Sequence, residues 1–71
     1  MKRTKNLIGE MINHQRTKKG LTLQELATKL ETDRHYIWKL ENGKVNMSLD
    51  FLDKVINSLG IYPEEFFNTD R

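Results

Sequence analysis

The sequence predicts an all-α fold of short helices, and three observations support this prediction. Apolar residues recur at helical spacing along the chain, and no segment alternates with the period of two that is typical of strands. Gly20, Gly43 and Gly60 each follow an apolar-periodic segment, at the position where a glycine commonly ends a helix. The only proline, Pro63, stands where a last helical turn is expected, because proline is well tolerated at the first helical position.

The first two helices are predicted from periodicity and from one capping motif. The first spans about Asn6 to Lys19 and carries Ile8 and Ile12 on one face. The second begins after Thr22, because Thr22 and Glu25 have the spacing of a capping box, in which each side chain accepts a hydrogen bond from the other residue's amide. Its apolar stripe consists of Leu23, Leu26, Ala27 and Leu30.

The remaining elements follow from similar signals. Asp33 is a favourable N-cap for a third helix, which ends at Asn42-Gly43. A fourth helix is predicted from Ser48 to Leu59, and a last turn begins at Pro63. The side chains of the fourth helix that we expect to face inward are Leu49, Leu52, Ile56 and Leu59.

Length and composition indicate one small domain over residues 1–71. The absence of cysteine excludes disulfides and thiolate zinc sites, and two histidines alone do not make a structural metal site. No apolar run approaches the roughly 18 residues that suggest a membrane span. We therefore expect a cytoplasmic protein with no metal, cofactor or membrane partner.

The charged residues are unevenly distributed. Residues 1–20 contain six basic residues and one acidic residue, whereas residues 45–71 contain two basic and five acidic residues. A basic end, including a basic tail at residues 1–5, is consistent with a polyanionic partner that approaches from one side. On charge alone, a solvated basic tail explains the pattern equally well.

The second and third helices have the spacing of a helix-turn-helix at about residues 22–41, although many small bundles have similarly short connections. At 100° per residue, Ile37 and Leu40 of the third helix point into the bundle, and His35 and Lys39 point away from it. A solvated face more usually carries Glu, Lys, Gln and Ala. Here it carries hydrogen-bond donors and flat rings that suit base edges and phosphates, namely Arg34, His35, Tyr36, Trp38 and Lys39.

Residues 20–27, 33–43 and 48–61 together resemble the Cro/phage-repressor (XRE-like) type of helix-turn-helix, over roughly residues 6–67. The segment from Thr32 to Ile37 is most similar to the controller proteins of restriction–modification systems. The resemblance implies a compact five-helix bundle of the lambda-repressor-like DNA-binding type. It also implies a small transcriptional regulator, a repressor, that binds a palindromic operator in double-stranded DNA as a homodimer. The segment Asp33–Leu40 would then lie in the major groove.

The resemblance also assigns roles to individual residues. It places Arg34, His35 and Lys39 at base edges, and Tyr36 and Trp38 at bases or backbone. It implies an internal ion pair between Arg16 and Glu41, which braces the first helix against the third, with DNA contact as the alternative role. The residues expected to contact the DNA backbone are Gln24, Asn42 and Lys44, with Lys18 and Lys19 at the basic end of the first helix.

Three of these side chains have alternative interpretations. Arg34 is a candidate for a bidentate contact to guanine, but it could instead pair with Asp33 or Glu31. Trp38 could touch thymine methyls or the phosphate backbone, or lie half-buried between helices. Tyr36 could bind a phosphate oxygen or pack beside the second helix.

The sequence departs from the family pattern in two places that affect the site. Leu23 stands where a glutamine usually helps to clamp phosphate, so that contact depends on Gln24, one residue later. Glu31 occupies a turn position that is often glycine, and a left-handed backbone there would cost a non-glycine residue on the order of 1 kcal/mol.

The C-terminal third contains more large apolar residues than a small bundle needs to bury. Some of them are candidates for a dimer interface, and ordinary core packing is the alternative for at least two or three of them. The five candidates are Phe51, Val55, Ile61, Phe66 and Phe67.

Two other classes of function are alternatives to DNA binding. A protein-interaction module that retains the fold, such as an antitoxin-like protein or an adaptor, would use the acidic and apolar C-terminal third. For an enzyme, the sequence offers no nucleophile–base pair, glycine-rich phosphate loop or converging carboxylate cluster. DNA binding is therefore the favoured function.

Overall fold

A computed structural model describes residues 3–68 and shows five α-helices in that part of the chain. They are α1 (Thr4–Lys18), α2 (Leu23–Lys29), α3 (Arg34–Glu41), α4 (Leu49–Ser58) and α5 (Pro63–Phe66). The predicted all-α fold with five helices is confirmed. Thr4 and Lys5, which were assigned to a basic tail at residues 1–5, belong to α1, and residues 1 and 2 of that tail lie outside the described residues.

Side-chain caps determine where three of the helices begin. Thr22 Oγ1 accepts from the Glu25 amide at 3.0 Å, and Glu25 Oε1 accepts from the Thr22 amide at 2.8 Å, which completes the predicted capping box. Asp33 Oδ1 accepts from the Tyr36 amide at 2.8 Å, and Ser48 Oγ accepts in the same way at the start of α4. Each cap accepts a hydrogen bond from a backbone amide that has no partner within the helix. Such a cap typically stabilises the protein by about 1 kcal/mol.

The turn between α2 and α3 has a left-handed residue that is not glycine. Glu31 has φ of 57°, and among residues 3–68 the other residues with positive φ are Gly20, Gly43 and Gly60. The Glu31 side chain is exposed and therefore gains little packing in return for this conformation. The folded protein therefore has the energetic cost of a left-handed backbone at a residue with a Cβ atom.

The core is formed where α1, α2, α3 and α4 converge. Ile12, Leu26, Ile37 and Val55, one from each of these helices, have no solvent exposure. Leu40 lies one turn after Ile37 and is also buried, so α3 is fixed along one whole face. The opposite face of α3 is left on the surface of the protein. None of the helices in residues 3–68 has both the length and the apolar character needed to cross a membrane.

α1 and α3 approach each other unusually closely at Gly9. A Cβ atom added there would lie 2.4 Å from the Leu40 carbonyl oxygen and 2.6 Å from that of Glu41. Both atoms belong to the backbone at the end of α3, so they cannot move aside as a flexible side chain could. Gly9 therefore sets the distance between the two helices, a role that its position inside α1 did not suggest.

Candidate nucleic-acid interface

The outer face of α3 presents four of the five polar and aromatic side chains predicted from the helical spacing. Arg34 and His35 are exposed, Trp38 is 44% exposed, and Lys39 is half-buried. Asp33 and Glu31 are close to Arg34 in the sequence. Among the residues that the structure describes, however, Arg34 forms no ion pair with either of them. The guanidinium group is therefore available to a ligand.

His35 and Trp38 form a stacked pair on this face. Their rings lie within 5° of parallel, with centroids 6.1 Å apart. One turn later, Asn42 Nδ2 donates to the Trp38 carbonyl at 2.9 Å. The Asn42 side chain, which was expected to contact the DNA backbone, therefore caps the C-terminal end of α3. The face thus combines a free cation with a flat aromatic surface.

Tyr36 points to a different part of the molecule. Its ring meets Phe51 of α4 edge-on, with centroids 5.8 Å apart, and it packs against the core. The packing interpretation of Tyr36 therefore applies to its ring, and Phe51 of α4 is its aromatic partner. This contact also covers part of Phe51, one of the candidates for a dimer interface.

The residues expected to contact the DNA backbone are all on the surface. Gln24 Nε2 donates to Thr28 Oγ1 at 3.2 Å, a weak contact between exposed groups that leaves the amide accessible. Leu23 is half-buried and packs against the core, so it takes no part in a polar surface. The other four residues of this set, also exposed, are Lys18, Lys19, Asn42 and Lys44.

An ion pair that is largely removed from solvent joins α1 to the end of α3. Arg16 Nε donates to Glu41 Oε2 at 2.6 Å, and the side chains are only 11% and 4% exposed. Arg16 Nη2 donates to Glu41 Oε1 at 3.1 Å, and Nη1 donates to the Leu21 carbonyl at 2.8 Å. Such a bidentate pair gives geometric specificity as well as attraction, so it fixes how α3 is presented.

Asn13 completes this cluster, and the sequence analysis missed it. Its Nδ2 donates to Glu41 Oε1 at 2.9 Å, which gives the carboxylate a third donor. Asn13 lies three residues before Arg16, and residues with that spacing share a helix face. This spacing is the sequence signal that could have identified Asn13.

The structure separates the five candidates for a dimer interface. Val55, Ile61 and Phe66 are at most 7% exposed within the single chain, so they belong to the core, as expected for at least two or three of the five, and have little side-chain area left for an interface. Phe67 remains 48% exposed. Leu49 was expected to face inward but is 83% exposed, because it is the first residue of α4 and precedes the part of the helix that packs on the core.

The helix-turn-helix domain family matches residues 9–70, which is most of the chain. The chain belongs to this family. The helix-turn-helix resemblance seen in the sequence is therefore confirmed, and α2, the Glu31 turn and α3 are the elements that form the motif.

Relatives and solved structures also confirm the similarity to restriction–modification controllers. The control protein C.MunI of Mycoplasma sp is 39% identical over 51 residues, which cover 72% of this chain and 69% of that protein. The controller C.AhdI of Aeromonas hydrophila is 35% identical with a TM-score of 0.80, over 87% of this chain and 90% of that one. The controller C.Esp1396I, solved as a tetramer with its natural 35 base-pair operator, is 27% identical with a TM-score of 0.84, over 94% of this chain and 88% of that one.

Proposed function

We propose that residues 1–71 form a single DNA-binding domain that acts as a transcriptional repressor and recognises a palindromic operator. The observation that carries this proposal is the outer face of α3, with exposed Arg34, His35 and Trp38. The inner face of the same helix is buried through Ile37 and Leu40. A short helix fixed on one side and rich in donors and flat rings on the other is suited to the major groove.

Each side chain on this face has a proposed part in recognition. Arg34 makes a bidentate contact to guanine O6 and N7, a contact worth about 1–3 kcal/mol of discrimination. His35 and Lys39 contact bases or phosphates from the same helix, while Tyr36 supports α3 from behind through Phe51. The backbone contacts come from Gln24, Asn42 and Lys44, with Lys18 and Lys19 adding positive charge.

The repressor is proposed to bind as a homodimer. Exposed Leu49 and Phe67 line an apolar groove of about 610 Å³ that also includes Ile8, Met47 and Leu52, and a second copy would cover this surface. The operator complex of the related controller C.Esp1396I, which is a tetramer, supports an oligomeric assembly. A two-fold axis would place two α3 helices about 34 Å apart, one turn of DNA.

The proposed activity is binding rather than catalysis, without a cofactor, and takes place in the cytoplasm. The family to which the chain belongs supports binding rather than catalysis, because its relatives are control proteins.

Selection from a pool of random duplex DNA tests the proposal. We expect an enriched sequence with two-fold symmetry and half-sites about one helical turn apart. Binding to it should weaken steeply as salt rises, because neutralised phosphates release counterions. A pool that remains random at low salt would contradict DNA recognition. A reporter gene placed behind the selected sequence then distinguishes repression from activation.

The second candidate is a protein-interaction module, such as an antitoxin-like protein or an adaptor. The exposed apolar groove beside Leu49 and Phe67 favours it, because contiguous apolar surface commonly marks a protein contact. A stable complex with a protein encoded by a neighbouring gene, together with no DNA binding at low salt, would support this alternative. Enrichment of a palindrome would favour the repressor.

A further inference from the structure

The stacked rings of His35 and Trp38 are a feature that general DNA binding does not require. The two residues are one helical turn apart on α3, with parallel rings whose centroids are separated by 6.1 Å. His35 is exposed and Trp38 is 44% exposed, so the pair forms a flat, largely apolar surface directed towards solvent. We call these two side chains the aromatic pair.

Core packing does not account for the aromatic pair. The neighbouring Tyr36 packs against the core and against Phe51, whereas neither His35 nor Trp38 belongs to the buried cluster or to the half-buried residues around it. The carbonyl of Trp38 is already used, because it accepts from Asn42 in the last turn of α3. The indole ring is therefore held on a rigid backbone while its surface stays open to a partner.

We propose that Trp38 recognises the C5-methyl group of a thymine in the major groove, and that His35 is a positioning residue that holds the indole ring for this contact. The inference rests on the proposed DNA-binding function. Thymine is the one unmodified base that presents an apolar group in the major groove, and apolar side chains read it by contact. The stack restricts the indole before binding, so less conformational freedom is lost when the complex forms.

The competing role for an exposed indole beside DNA is to cover the sugar–phosphate backbone. A backbone contact is the same for every base, so it gives affinity without preference for thymine. A methyl contact disappears when thymine is replaced by uracil, which keeps the same hydrogen-bonding pattern. Comparison of thymine with uracil therefore separates the two roles of Trp38.

The experiment uses the duplex selected by the full chain, with one thymine at a time, in one half-site only, replaced by deoxyuridine. We expect one position per half-site at which uracil weakens binding by about threefold to fivefold, the value of burying one methyl group. Trp38→Ala should bind thymine and uracil duplexes equally at that position. Trp38→Phe, which keeps a flat apolar ring, should retain part of the preference.

Three further variants isolate the parts played by other residues. Lys44→Ala is the control, because loss of a proposed phosphate contact outside α3 weakens binding to both duplexes alike and leaves the thymine-to-uracil ratio unchanged. His35→Ala should reduce the ratio, whereas His35→Phe should keep it by preserving the stack. Circular dichroism of each variant checks that the helical content of the protein is unchanged.

The outcomes distinguish this inference from the proposed function. Tolerance of uracil at every position of a well-defined operator overturns the methyl contact while leaving DNA recognition intact. A thymine preference that persists in folded Trp38→Ala also overturns it. If the wild-type chain enriches no sequence at all, the proposed function fails and the methyl contact fails with it.

Discussion

Arg16 Nε lies 2.6 Å from Glu41 Oε2, and this ion pair joins the last turn of α1 to the last residue of α3. The carboxylate also accepts from Arg16 Nη2 and from Asn13 Nδ2. Because both charged side chains are largely buried, each depends on the other to offset the loss of hydration. The pair therefore determines how the outer face of α3 is presented, although it lies on the inner side of that helix.

Removing one partner of this pair should be strongly destabilising. We expect Glu41→Ala to lower the free energy of unfolding by about 3–5 kcal/mol, because the Arg16 charge is left buried without compensation. Urea denaturation followed by circular dichroism measures the change. Asp53→Asn, which alters an exposed carboxylate in α4, is the control and should change stability by less than about 0.5 kcal/mol. A loss below about 1 kcal/mol in Glu41→Ala would show that the pair behaves like a surface salt bridge.

Gly9→Ala tests the close approach of α1 and α3. Helix propensity alone predicts a gain of about 1 kcal/mol from this change. The contact with the Leu40 and Glu41 backbone predicts the opposite sign, a loss of about 1–3 kcal/mol, because the helices must separate. Thermal and urea denaturation measure it, with His14→Ala on the exposed side of α1 as the control. A more stable Gly9→Ala protein would contradict the observed helix spacing.

Glu31→Gly should stabilise the protein. The left-handed backbone at Glu31 disfavours any residue with a Cβ atom, and glycine removes that penalty while adding flexibility to the unfolded chain. We expect a net gain of about 0.5–1 kcal/mol in the free energy of unfolding. Glu31→Ala is the matched control, because it removes the carboxylate and keeps the Cβ atom. An equal gain in both variants would assign the effect to charge rather than to backbone conformation.

Lys44→Ala should weaken DNA binding without changing its sequence preference. Lys44 is exposed just after α3, where we propose that it contacts a phosphate. In the proposed homodimer one phosphate contact is lost from each protomer, which reduces the slope of log affinity against log salt concentration by about 2. Fluorescence anisotropy across a salt series measures the slope on the selected duplex and on a scrambled one. If only the selected duplex were affected, Lys44 would have a role in reading bases.

Local signals in the sequence predicted the helices well, and contacts between helices were harder to foresee. The caps at Thr22, Asp33 and Ser48 depend on residues three positions apart, so their effects can be read directly from the chain. The role of Gly9 depends instead on the backbone at residues 40 and 41, which no local pattern reveals. Phe66 resembles an interface residue in the sequence, and only the folded chain shows that it is buried.

The candidate site could be predicted in part for the same reason. Helical periodicity correctly separated the inward-facing Ile37 and Leu40 from the exposed Arg34 and His35. It could not distinguish Tyr36 from Trp38, because both are aromatic and lie on the flanks of α3. The difference arises from α4, since Phe51 is placed to meet Tyr36 and the indole of Trp38 stacks on His35 instead.

The central claim is that the outer face of α3 reads DNA sequence, and the effect of Arg34→Ala on the selected operator tests it most directly. Selection from random duplex DNA is carried out with the wild-type chain and with the variant, and affinity for the wild-type consensus is measured for both. We predict that Arg34→Ala binds about 1–3 kcal/mol more weakly for each half-site and no longer prefers one particular guanine there. Unchanged affinity and an unchanged consensus would contradict the assignment of α3 as the reading helix.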